Sequence, residues 1–169
     1  HTHVARSFTC QPVCGPARSC MQTGQYATST GCYRNGIPLA PDSRTLAHHF
    51  GAAGYQTGYI GKWHLHDSRV HGPVPADHRF GYDHWLASNI LEFTSHEYDT
   101  VLYDGEDDEV KLPGYRVDAL ADAAIRYMDA WKEDPFFLFL SFIEPHHQND
   151  VADYPPPEDY RERFTGGWV

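Results

Sequence analysis

The stretch VCGPARSCMQTG, positions 13 to 24, sets Cys14, Pro16 and Arg18 at alternate positions and closes on Thr23-Gly24. Proline is tolerated in a first helical turn, where the N–H it lacks would have no intrahelical partner, and glycine just past a last turn stops a helix. The segment therefore predicts a short helix ending at Gly24, with Cys14 at its mouth. Unpaired N–H groups and the helix dipole favour negative charge there. Arg18, four residues on, can return its side chain to the same end. One cysteine is thus set apart, beside one cation, at a place suited to an anion. Two other stretches gather polar chemistry. Lys62 and His64 follow QTGYIGKW, and Glu144, Pro145, His146 and His147 follow FFLFLSF. Histidines number 12 against 13 Lys plus Arg, which suits acid–base or metal chemistry.

The elements that position these residues are legible in outline. QTGYIGKW reads as a short buried strand, and FFLFLSF as a central one, too short and too aromatic for a helix. DSRTLAHHFGAAGY predicts a helix with an Asp/Ser cap that ends at Gly54. The clearest helix runs from about Tyr115 to Lys132, with Val117, Leu120, Ala121, Ala124, Ile125 and Met128 as its apolar stripe. TSTGCYRNGIPLAPDS is a polar loop, and residues 66 to 114 are irregular with room for an edge hairpin. YDGEDDEVKLPG is an acidic, solvated turn, and DYPPPEDYRERFTGGWV a Pro-rich connection. The sketch is helix, strand, helix, strand, with polar residues where strands end, the place at which open α/β sheets hold ligands. Two strands are too few for such a sheet, so part of the fold is expected to be missing.

The chain of 169 residues is long enough for one domain with a real core, and 41% hydrophobic with 21% charged residues is ordinary for a globular protein. A formal net charge of −10 argues against a nucleic-acid partner, which needs a basic face, but not against an anionic small substrate. No apolar run approaches the roughly 20 residues of a membrane span. HTHVARSF lacks the features of a signal peptide and an initiator Met, so localisation is not readable from that end. Cys10, Cys14, Cys20 and Cys32 fall in the first fifth of the chain without a C-x-x-C knuckle, which disfavours both a disulfide framework and a zinc site. Cys10, Cys20 and Cys32 are read as packing residues, and Trp63 as core.

CGPARSCMQTG resembles the sulfatase signature, Cys-x-Pro-x-Arg followed by Thr-Gly. GYQTGYIGKWHL, residues 54 to 65, resembles the second signature of that family, and FFLFLSFIEPHH its strand before a Pro-His segment. The three stretches stand in family order. The resemblance implies an α/β, alkaline-phosphatase-like domain with a central mixed, mostly parallel sheet flanked by helices, of which residues 1–169 form a part. It implies hydrolysis of small-molecule or carbohydrate sulfate esters. In such enzymes a formylglycine-generating enzyme oxidises the motif cysteine, here Cys14, to formylglycine (3-oxoalanine). One hydroxyl of the hydrated aldehyde attacks sulfur and the other expels sulfate, a second step that a thiol could not perform. By the same resemblance Cys14 is also a ligand of a divalent metal, usually Ca2+, and Arg18 holds the hydrated aldehyde. Lys62 and His64 contact the sulfate oxygens and the diol, and His146, rather than His147, protonates the leaving alcohol or binds sulfate.

Ala17 and His66 depart from the common family residues without removing a catalytic group. The family's acidic metal-binding pairs are absent. Asp107-Asp108 lies in the wrong place to substitute, so the first pair is expected before His1, the second after Val169, and the isolated chain is expected to be inactive and poorly stable. A phosphonate or phosphate monoester hydrolase on the same scaffold is the alternative. A non-catalytic relative, kept as a binding module or a cysteine-rich metal-binding domain, is the third reading.

Overall fold

The computed structural model describes residues 2–165. Its first helix, α1 (Cys14–Thr23), is followed by a single turn, α2 (Ala27–Thr30), and by α3 (Leu46–Ala52). Strand β1 (Gln56–Lys62) leads through a long loop to β2 (His84–Ser88), then to a one-turn α4 (Leu91–Thr94) and a hairpin, β3 (Thr100–Tyr103) and β4 (Glu109–Leu112). Helix α5 (Arg116–Trp131) returns the chain to β5 (Phe136–Ser141), and α6 (Tyr160–Thr165) follows the Pro-rich segment, whose residues 166–169 lie outside the described residues. Gly24 closes α1 in the left-handed conformation, φ 68°, as its position requires.

The sheet order is β4-β3-β2-β1-β5. β1 pairs parallel with both β2 and β5, whereas β3 joins β2, and β4 joins β3, in antiparallel fashion. The sheet is mixed, with a parallel half that carries the polar strand ends and an antiparallel edge. Alternation along the strands divides the core in two. Tyr59, Trp85, Phe137 and Phe139 face one layer with Trp63, Leu65 and Tyr82. Ile60, Leu86, Leu138 and Leu140 face the other, beneath Leu120, Ala123 and Ala124 of α5. Tyr59 is the centre of the aromatic layer, stacked on Phe139 at 5.3 Å between ring centres and edge-on to Trp63 at 4.9 Å.

Several expectations are corrected. Among the described residues there are five strands, two of them the edge hairpin for which residues 66 to 114 left room; β2 lacks the long apolar run that would mark it, because His84 and Ser88 flank a short Trp-Leu-Ala centre. β5 lies at the end of the described sheet, not in its middle, since a continuous apolar run reports covered faces and says nothing about lateral neighbours. Helix α3 begins after Thr45, not at Asp42-Ser43. Thr45 forms a capping box in which its N–H donates to His48 Nδ1 at 3.1 Å, while its hydroxyl donates to Phe80 C=O at 2.6 Å. In α5 the buried side runs through Ala119, Leu120, Ala123, Ala124 and Trp131, leaving Ile125 and Met128 in solvent. Cys32 is buried, but Cys10 is exposed. Asp107 is not only solvated, since it pairs with Arg79 at 2.8 Å.

Gly61 shows how closely β1 and β5 approach. It has φ 107°, and a Cβ there would lie 2.1 Å from the Ser141 carbonyl oxygen. Gly61→Ala is therefore expected to destabilise the protein by about 3 kcal/mol or more, a fall in Tm of about 10 °C for a chain of this size, through overpacking and backbone strain together. Gly105→Ala, where a Cβ meets nothing within 4 Å, serves as the control in the same thermal scan. Equal Tm values for the two variants would overturn the reading.

Candidate functional site

The site grows from the C-terminal ends of β1 and β5. The chain leaves β1 toward β2 on one side and comes back as β5 on the other, which opens a crevice between the two ends. Three donors converge on one backbone oxygen in this crevice, the carbonyl of Lys62. Tyr59 Oη donates at 2.5 Å, Arg18 Nη1 at 2.7 Å and Ser141 Oγ at 2.9 Å. Arg18 Nη1 also donates to Ser141 Oγ at 2.6 Å. One arginine of α1 thereby joins the ends of both strands, and this sets the helix against the sheet. Gly15 brings the mouth of α1 close to the next turn: its N–H donates to Asn35 Oδ1 at 2.9 Å, and a Cβ there would lie 3.3 Å from the His64 carbonyl oxygen.

Cys14, Arg18, Lys62 and His146 line one open cleft of about 300 Å³, together with Met21 and Ile143. Four of the five sequence-predicted residues are thus brought together from positions far apart in the chain. His146 faces this cleft, whereas His147 packs on Tyr154 and bonds Asn149. His146 Nδ1 sits 2.6 Å from the His147 carbonyl oxygen, which can only accept, so Nδ1 carries a proton and Nε2 is left for a ligand.

His64 stands apart from the cleft wall. Its backbone is left-handed, φ 57°, and its N–H donates to Asn89 C=O at 2.6 Å, an anchor that turns the chain sharply out of β1. The ring is buried, and Nδ1 has no hydrogen-bond partner among the described residues. Burial first, and then the charges of Lys62, Arg18 and His146 against that of Glu92, push its pKa down to about 4. The imidazole is therefore neutral at neutral pH, so His64 adds a polar ring rather than a further cation.

The chain positions several residues here that no motif flags. Lys62, 1% exposed, places its Nζ 2.5 Å from Oε1 of Glu92, itself 7% exposed. Burial draws the lysine pKa down, opposed by the charge and hydrogen bond of Glu92. Burial would raise the Glu92 carboxyl, but the Lys62 charge and hydrogen bond hold it below its ordinary value. Asn89 clamps the loop after β1 by donating to the carbonyls of Asp67 and Val70 at 3.0 and 2.6 Å. The loop that carries His146 is held at its base by Glu144, whose Oε1 accepts from buried Arg116 Nε at 2.6 Å. Polar residues in irregular segments carried no period or spacing by which these partnerships could be read.

The cleft wall brings no carboxylate to Cys14, and the described residues contain no group of three or more His, Cys, Asp or Glu able to hold a metal. A hard dication takes six or more oxygen ligands, so this donor set does not by itself fit calcium.

The neutral His64 has a consequence for stability. Its unfolded pKa of 6.5 lies above its folded value of about 4, so between the two the unfolded state binds more protons. Its contribution is complete above about pH 6.5 and is lost as pH falls toward 4, to a total of about 3 kcal/mol. His64→Asn keeps a side chain that tolerates positive φ and removes the titration. Urea unfolding of both proteins from about pH 7 to about pH 4.5 should show a flatter profile for the variant; parallel profiles would mean that His64 titrates normally.

Residues 2–167 match the Sulfatase family. An ulvan-active sulfatase of Formosa agariphila is 34% identical over 158 residues, covering 91% of this chain and 29% of its own length. The structure of yidJ from Bacteroides fragilis superposes with a TM-score of 0.77 at 24% identity, over 93% of this chain and 38% of that one. BT4656, solved in complex with its substrate D-glucosamine-2-N,6-O-disulfate, superposes with a TM-score of 0.70 at 25% identity, over 91% and 31%. This chain therefore spans about a third of the length of the proteins it matches. The α/β fold with its mixed sheet is the alkaline-phosphatase-like one that the signature stretches implied. From the signature cysteine at the helix mouth to the histidine beyond β5, the chain belongs to the sulfatase family.

Proposed function

We propose that this chain carries the nucleophile and the cationic wall of a sulfuric ester hydrolase, and that residues 1–169 form part of its catalytic domain. The observation that supports this best is the meeting of Cys14, Arg18, Lys62 and His146 around one cleft. Cys14 opens α1, where helix N–H groups favour an anion, and the cleft offers a lysine, an arginine and a histidine to one tetrahedral anion. Cys14 is accessible at that mouth and lies in the Cys-x-Pro-x-Arg context, so it is the residue for a formylglycine-generating enzyme to oxidise. Oxidised and hydrated, it supplies one hydroxyl to attack sulfur and a second whose deprotonation releases sulfate and restores the aldehyde.

The chain's own residues have separable tasks in this reading. Lys62 Nζ offsets the charge that builds on the sulfate oxygens in the transition state. Arg18 spends Nη1 on the strand ends, so it holds the helix mouth in register while its delocalised charge remains beside position 14. His146, with Nδ1–H committed to a carbonyl, presents Nε2 to the departing alcohol, which it protonates from the imidazolium form. His64 contributes as a neutral, buried ring behind Lys62. Calcium, which the family implies, would take position 14 as one ligand and its carboxylates from outside residues 1–169. The disulfated glucosamine bound by BT4656 favours a sulfated sugar as the substrate class.

Peptide mass spectrometry of the full-length protein, made in a host with the modifying enzyme, should show the aldehyde at Cys14, and that protein should turn over an aryl sulfate. A thiol at Cys14 beside a modified control sulfatase would overturn the proposal, and faster turnover of an aryl phosphonate would assign the related hydrolase activity. His146→Ala should lower kcat about 10²- to 10⁴-fold, the scale for a lost general acid, while His147→Ala stays near wild type. A larger loss at His147 would reverse the assignment.

A further inference from the structure

Glu92 belongs to no signature stretch, yet it is among the most constrained side chains near the cleft. It lies in the one-turn α4, with Oε1 2.5 Å from Lys62 Nζ. Its second oxygen, Oε2, is buried without a hydrogen-bond partner, so Lys62 is the side chain that holds this carboxylate. Its backbone is fixed independently. Gln148 Nε2 donates to the Glu92 carbonyl at 2.9 Å, and Gln148, 1% exposed, stands two residues after His146. The Glu92 segment is therefore tied through its main chain to the loop bearing His146, and through its side chain to the lysine of the same cleft.

An ammonium has three N–H bonds, and a fixed acceptor for one of them determines where the other two point. Lys62 hangs on a four-carbon stem with several rotatable bonds, so its backbone anchor alone does not aim its Nζ. Resting on the functional reading above, we infer that Glu92 is a positioning residue, which locks the Lys62 ammonium at the cleft wall and directs its remaining donors toward the anion held beside Cys14. The charge of Glu92 also offsets that of the buried Lys62, and the N–H bonds that Glu92 does not take remain for a sulfate oxygen. The segment Leu91–Thr94 thereby becomes part of the catalytic frame, although its carboxylate touches no substrate.

The test uses the full-length protein, with two readouts: kcat on the ester that the wild type hydrolyses, and the Kd for inorganic sulfate by calorimetry. Glu92→Asp keeps the charge but withdraws it by one methylene. It should stay folded, with Tm near wild type, while kcat falls about 10- to 100-fold and more than KM changes. Glu92→Gln should lower kcat at least as far and weaken inorganic sulfate. In a Lys62→Met background neither substitution should lower kcat further, because Glu92 acts through Lys62. Losses that simply multiply with that of Lys62→Met, or variants whose Tm falls while kcat per folded molecule and the sulfate Kd stay at wild type, would overturn the inference. If the wild type turns over a phosphonate ester and no sulfate ester, the assigned reaction falls. A loss of phosphonate kcat in Glu92→Asp that vanishes without Lys62 would still support the positioning role, and an unchanged kcat would overturn it.

Discussion

A single backbone oxygen, the carbonyl of Lys62, organises this structure. Tyr59 reaches it from within β1, Ser141 from the end of β5, and Arg18 from α1. Apolar packing between elements alone lets them slide. Hydrogen bonds do not, because their energy falls away steeply with angle and distance. Tyr59 does double service: its ring is the hub of the aromatic layer and its hydroxyl binds the site. The tightness of the junction explains Gly61, which lets β5 approach, and Gly15, which lets the helix mouth approach the turn at His64.

The electrostatics are local. An acidic chain of net charge −10 builds a locally cationic cleft by bringing Lys62 and Arg18 from two elements to one place, with His146 beside them. Burial restrains that concentration of charge. It turns His64 neutral, and it makes Lys62 tolerable only beside Glu92. The same logic recurs at the base of the His146 loop, where buried Arg116 is matched by Glu144. Neither glutamate stands in the cleft wall, so both balance the site without opposing an anion within it.

What could be read in advance follows from how local each signal is. Helix α1 and its stop were legible because proline, glycine and their spacing act within a few residues. α5 was legible from its period, but the period admits two adjacent faces, and only contact with β1 and β5 chose Leu120, Ala123 and Ala124 over Ile125 and Met128. β2 was hidden because five residues with polar ends carry too little pattern, and its strand character comes from pairing with β1. The apolar run of β5 disclosed two covered faces and left its lateral position open.

The residues of the signature stretches, and the chemistry their types allow, were determined by the sequence itself: a cysteine at a helix mouth, a lysine and two histidines at strand ends. Their convergence was not, because a cleft joining positions 14, 62 and 146 exists only once β1 and β5 lie side by side. Tertiary structure also decided what each group is. Desolvation makes one histidine neutral, a neighbouring carbonyl fixes the proton on another, and a carboxylate from an unremarkable turn sets the lysine. Charge state and direction depend on the surrounding dielectric and on partners brought from distant positions, and residue order along a chain encodes neither until it folds.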